Sequence, residues 1–162
     1  MFPSHDQGVG GTGFAYFDVN SERDIFLNAS GNLKAKGSWK QRFVQLSYNF
    51  KEILYKLQPS NVVIEGVEYF GGARSFASIA RGDAVKLAYL VGAFNYICSD
   101  EVFVEKFSLR SPTQWKGQLK KHSTKVRVQK AFPDLDPNKT THEIDAIALG
   151  LSMYTETGKL QW

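Results

Sequence analysis

A short apolar run within Asn61-Val-Val-Ile-Glu65 constrains this chain more than any other feature. It is short and rich in β-branched side chains, so it reads as a buried strand. Before it, Phe43, Leu46, Phe50, Ile53, Leu54 and Leu57 recur at helical spacing, with Ser38 placed to cap that helix and Pro59 to end it. After it, Gly71-Gly72 breaks the chain, and Ala73 to Ile97 reads as a long helix, apolar over much of its circumference. A strand set between two helices points to an α/β arrangement.

The remaining segments extend that pattern. Gly13 to Val19 reads as a strand, Asn20-Ser21 as a turn, and Arg23 to Asn28 as the hairpin partner. Val102 to Phe107 alternates as a further strand. Ser111-Pro112 opens a helix, Thr124 to Phe132 forms another, and Pro133 to Pro137 is a loop. The last helix starts near Thr140 or Thr141 and carries Ile144, Ile147, Ala148 and Leu151 on one face. This order predicts a mixed central sheet with helices on both faces. A chain of 162 residues, 43% hydrophobic, suits one domain spanning 1–162 with a real core. The single cysteine, Cys98, lies in an apolar helical stretch and reads as a core residue. Without a disulfide partner it points to a reducing, cytoplasmic compartment. No apolar run approaches the ~18 residues of a membrane span, so a soluble protein with no membrane partner is expected.

Gly8, Gly10 and Gly13 match G-x-G-x-x-G. A dinucleotide site needs a strand before that motif and a helix after it. Here a strand follows, so the glycines read as a turn with open backbone near a site.

Four residues have the chemistry of a divalent-metal site. Asp6 precedes the glycines, Glu65 ends the apolar run, and His142 and Asp145 lie three apart on one face of the last helix. Carboxylates with one imidazole suit Mg²⁺, with Mn²⁺ able to substitute. Two such ions can drive phosphodiester hydrolysis. The net charge of +4 and a pI near 9.1 favour a polyanionic partner. From Lys106 to Phe132 there is no acidic residue, while Lys116, Lys120, Lys121, Lys125 and Arg127 lie in that stretch as candidate phosphate contacts. Tyr69 and Phe70 follow Glu65 closely and precede the Gly71-Gly72 break, where two aromatics are poorly explained as core and well suited to stacking on bases.

The set Asp6-Gln-Gly8 with Thr12-Gly13, then Val63-Ile64-Glu65, then His142-Glu-Ile-Asp145-Ala-Ile-Ala148 resembles the RuvC family of Holliday junction resolvases over nearly the whole chain. Gln7 stands where that family commonly has proline. His142 stands where many members have Asp, although His is also used. The resemblance implies a ribonuclease-H-like fold, a homodimer, and two-metal cleavage of four-way or other branched DNA, with Asp6, Glu65, His142 and Asp145 as ligands. It also implies that Gln114-Trp-Lys116 and Lys125 supply lysines near the active site, and that Tyr69 or Phe70 stacks on unpaired bases at the junction. The divergence resembles that of phage-encoded relatives, which would act in the host cytoplasm. Two alternatives remain at the level of sequence: a broader flap or fork nuclease, and a catalytically silent nucleic-acid-binding module of the same fold. The homodimer has a second motive. Ile79, Leu87, Leu90, Val91, Phe94 and Ile97 give the long helix a core stripe, while Phe76, Val85, Ala88 and Tyr89 extend the apolar surface beyond it.

Overall fold

The computed structural model describes residues 11–22, 24–68, 79–116 and 121–155. They form β1 (Gly11–Val19), β2 (Ile25–Lys34), α1 (Trp39–Leu57), β3 (Asn61–Glu65), α2 (Asp83–Asp100), β4 (Lys106–Arg110), α3 (Pro112–Lys116), α4 (Lys121–Ala131) and α5 (Thr141–Thr155). The chain divides into two compact units, one built on Leu33–Pro112 and the other on Gly13–Asn32 with the chain from Thr113 onward.

In the first unit, α1 begins as its sequence predicts. The Ser38 hydroxyl accepts from the Gln41 amide, and the Gln41 side chain accepts in return from the Ser38 amide. The helix ends at Gln58, which turns left-handed (φ 44°) and donates its amide to the Leu54 carbonyl just before Pro59. β3 and β4 pair in parallel, in register from Asn61 opposite Lys106 to Glu65 opposite Arg110. A parallel pair needs a crossover, and the segment containing α2 supplies it. α1 and α2 pack together through the stacked rings of Phe50 and Phe94, 4.1 Å apart. Leu46, Leu54, Leu90, Phe94 and Cys98 are buried. Burial, and after it the charge of Glu101, raises the Cys98 thiol to about 11.

Two expectations move here. Of the helix expected over Ala73 to Ile97, residues 73–78 lie outside the described residues; Gly82 adopts φ 71° and α2 starts at Asp83; Ile79, expected in the core stripe, is exposed. The strand expected at 102–107 sits at 106–110. The Val104 amide closes a turn onto the Glu101 carbonyl, and the Glu105 and Lys106 amides both donate to Ser60, which is where the ladder begins. Val102 is 99% exposed and takes no part in it.

In the second unit, β1 and β2 are neighbours in a two-stranded sheet joined by a short turn, a connection only antiparallel strands can make. β2 is longer than the expected partner and runs on to Lys34. Gly13 is not in a turn but inside β1. α5 buries Ile144, Ile147, Ala148 and Leu151, the face its spacing predicts, and packs on α4, where Thr124 and Val128 are fully buried. β1 meets α5 at two points. The backbone at Gly13 lies against the His142 carbonyl, and the Phe17 ring lies against Gly150. Four residues of strand span about 13 Å and eight residues of helix about 12 Å, so β1 and α5 run alongside each other in the same direction.

One mixed central sheet with helices on both faces is not what the described residues form. They contain two sheets of two strands each, β1 with β2 and β3 with β4. The mixed α/β character itself holds. No described helix is long and apolar enough to cross a membrane.

Candidate active site

The best-defined part of the site is the first turn of α5. Thr140-Thr-His-Glu143 forms a reciprocal cap: the Thr140 hydroxyl accepts from the Glu143 amide (3.3 Å), and the Glu143 carboxylate accepts from the Thr140 amide (3.1 Å) and hydroxyl (3.0 Å). Lys139 donates to the other carboxylate oxygen at 3.1 Å. Asn32, near the end of β2, donates to both the Thr140 hydroxyl (2.6 Å) and Glu143 (3.2 Å). Burial alone would raise the Glu143 carboxyl; the hydrogen bonds from Thr140 and Lys139 outweigh it and hold the group below its ordinary range.

This turn carries one of the expected metal ligands, His142, which is exposed; Asp145, partly exposed, lies about one turn further on. Lys116 Nζ lies 3.0 Å from Asp145 Oδ1, with side chains only 17% and 26% exposed. Trp115, buried beside it in α3, anchors that lysine, whose ammonium stands 5.2 Å from the indole ring. The family resemblance implies Lys116 near the expected metal ligands, and the structure brings it into an ion pair with Asp145. A carboxylate is a donor that Mg²⁺ or Mn²⁺ takes, and an imidazole can serve beside it; an ion bound by Asp145 would compete with Lys116 for the carboxylate.

In the other unit, Glu65 is the last residue of β3, exposed, and aligned across the ladder with Arg110. The strand before it is half-buried, less deeply covered than its apolar sequence suggests. Asp6, Tyr69, Phe70 and Lys120 lie outside the described residues. Among the described residues, no group of three or more His, Cys, Asp or Glu side chains is gathered to hold a metal ion. Lys121 is the first residue of α4; further along that helix Arg127 is half-buried, and Lys125 donates to the Pro137 carbonyl at 2.8 Å.

Sequence reasoning missed Asn32, Thr140 and Glu143 as parts of the site. The Thr-x-x-Glu spacing was a readable signal for the cap, whereas the reach of Asn32 across more than a hundred residues of sequence was not.

No protein-family model matches this chain, and no curated protein does. Among solved structures, RuvC of T. thermophilus in complex with a Holliday junction substrate superimposes with a TM-score of 0.71 at 19% identity, covering 93% of this chain and 92% of that one. The Thermus thermophilus RuvC structure gives 0.70 at 18% identity, with the same coverage. The chain has the RuvC fold. Its resemblance to RuvC therefore extends from motif order to three-dimensional structure over almost the full length of both chains. The RuvC fold is ribonuclease-H-like, which gives the α/β class expected from the sequence.

Proposed function

We propose that this protein is a structure-selective endodeoxyribonuclease that resolves Holliday junctions and related branched DNA, with the chain 1–162 working as one nuclease domain. The observation that carries this reading is the near-complete match to a RuvC solved with a junction substrate, taken with His142 in the capped first turn of α5 and Asp145 about one turn on.

Asp6, Glu65, His142 and Asp145 would hold Mg²⁺, or Mn²⁺ in its place. Bound there, the ions supply the positive charge that activates an attacking water and stabilises the leaving oxygen of the phosphodiester. The chain's own groups do the rest. Asp145 is oriented by Lys116, whose ammonium can turn to a DNA phosphate as the bond is cut. Lys120, Lys121, Lys125 and Arg127 hold the backbone of the DNA, and Tyr69 and Phe70 stack on unpaired bases at the branch.

A second copy of the chain would place two sites on a two-fold junction. α1 and α2 expose matching stripes at i, i+4 and i+11: Val44, Tyr48 and Tyr55 on α1; Val85, Tyr89 and Tyr96 on α2. These extend the second apolar face expected of the long helix, and they suit a self-complementary interface. The protein would act in the cytoplasm, that of the host if it is phage-encoded.

The test is Mg²⁺-dependent nicking across a panel of four-way junction, fork, flap and duplex DNAs. Paired nicks on the junction are expected. Preferential cutting of flaps or forks would favour the broader nuclease. Tight junction binding without cutting in any divalent metal would make it a silent binding module.

A further inference from the structure

Glu143 stands one residue from His142 and two from Asp145, and its carboxylate is held by four hydrogen bonds from the protein. One oxygen accepts from the Thr140 amide, the Thr140 hydroxyl and Asn32; the other accepts from Lys139. The residue is 9% exposed. A buried carboxylate is costly unless it is hydrogen-bonded; three donors on one oxygen and one on the other satisfy Glu143 and commit it to the cap. An ordinary helix cap needs only the two reciprocal bonds. Here Asn32 adds a strut from β2 to both members of the cap. The loop closed by Thr140 and Glu143 contains His142, whose carbonyl abuts Gly13 of β1. The peptide that carries the imidazole is thus fixed from β1 and from β2.

We propose that Glu143 is a positioning residue for the nuclease site: through Thr140 and Asn32 it sets the first turn of α5, and so the directions in which His142 and Asp145 present their ligand atoms. The proposal rests on the metal-dependent nuclease reading. It gives Glu143 a role distinct from that of a fifth ligand and from that of a cap whose only effect is on stability.

The test compares full-length wild type with Glu143→Ala, Glu143→Gln and Asn32→Ala. Mn²⁺ binding without DNA is measured by calorimetry, and junction nicking is resolved into kcat and KM. Glu143→Ala should weaken Mn²⁺ binding roughly tenfold, the lower end of what is seen when groups behind metal ligands are removed. It should lower kcat by a similar factor and leave the KM for junction unchanged. Glu143→Gln keeps an acceptor for Thr140 and should recover most of both losses. Asn32→Ala leaves the cap's reciprocal bonds in place and should shift Mn²⁺ affinity in the same direction as Glu143→Ala, which keeps the question open to measurement if the latter fails to fold. Variants that melt earlier but bind Mn²⁺ as wild type does would overturn the positioning role, as would a wild type that binds no Mn²⁺. A wild type that binds Mn²⁺ but does not nick junctions would refute the resolvase reading instead, and the Mn²⁺ comparison would still decide the role of Glu143.

Discussion

Replacing Gly13 by alanine adds one methyl group at the place where β1 meets α5. That carbon would stand 1.9 Å from the His142 carbonyl oxygen, 2.3 Å from its carbon and 3.0 Å from the Glu143 nitrogen. All three are backbone atoms in a capped helical turn, so no side-chain rotation relieves the clash. Restoring ordinary van der Waals contact requires a retreat of about 1.5 Å, taken up by β1 or by the first turn of α5. Overpacking on this scale typically costs about 1–3 kcal/mol. At roughly 2–4 °C per kcal/mol for a chain of this size, the melting temperature should fall by a few degrees to about 10 °C. The effect on chemistry should be larger, because a displacement of about 1 Å at a reacting centre can cost on the order of a hundredfold. Nicking of a four-way junction should therefore fall by about two orders of magnitude at a temperature where the variant remains folded, with junction affinity in the absence of metal little changed. Gly92→Ala is the control. Its added carbon meets nothing within 4 Å, and it sits in the middle of α2, where alanine is favoured by about 1 kcal/mol. A Gly13→Ala protein with the melting temperature and nicking rate of wild type would refute the close approach and the argument built on it.

Asp145→Asn and Glu65→Gln should each abolish nicking while junction binding, read by gel shift, survives; wild-type cutting by both would remove these residues from the site. DNA affinity should fall steeply with salt, in proportion to the phosphates neutralised, and Lys120→Ala with Lys121→Ala should flatten that slope in a fluorescence titration. Tyr89→Glu should give monomers by sedimentation and lose paired nicking, since Tyr89 is 64% exposed on the stripe of α2. Burial opposes ionisation of Asp83, but its bonds to Arg81 and Lys86 outweigh burial and hold the carboxyl below its ordinary value. Its contribution to stability is therefore complete above the ordinary carboxylate range and is lost as pH falls through the lowered value. Asp83→Asn should flatten that part of the acid-unfolding curve, followed by circular dichroism.

What could be read from the sequence follows the range of the interactions involved. The Ser38 cap, the Pro59 stop, the Val62–Ile64 strand and the buried face of α5 are local patterns, and each lies where its spacing predicts. β4 was misplaced because its start is set by Ser60, more than forty residues earlier, which no alternation of side chains reports. The break at Gly82 was hidden because apolar residues continue on both sides of it and one glycine in such a run does not by itself end a helix. At the site, the three-residue spacing of His142 and Asp145 was legible, and so was the nearness of a lysine. Gly8 and Gly10 of the glycine motif lie outside the described residues, and Gly13 lies in β1, as the strand expected at Gly13 to Val19 requires. Gly13 is also a point of close backbone approach, a use that depends on a helix about 130 residues away.

Cys98 offers a way to watch α2 open. It is the chain's single cysteine, almost fully buried, with its thiol raised to about 11. At pH 8 only about one thiol in a thousand would be ionised in place, against roughly a quarter for a free one. A thiol reagent would therefore label the folded protein chiefly through excursions that expose this residue. While reclosing is faster than labelling, the labelling rate would follow the equilibrium for those openings, and no dye or engineered site would be needed. Labelling slowed by junction DNA, or by raising the protein concentration, would show that α2 is held shut by what binds over it.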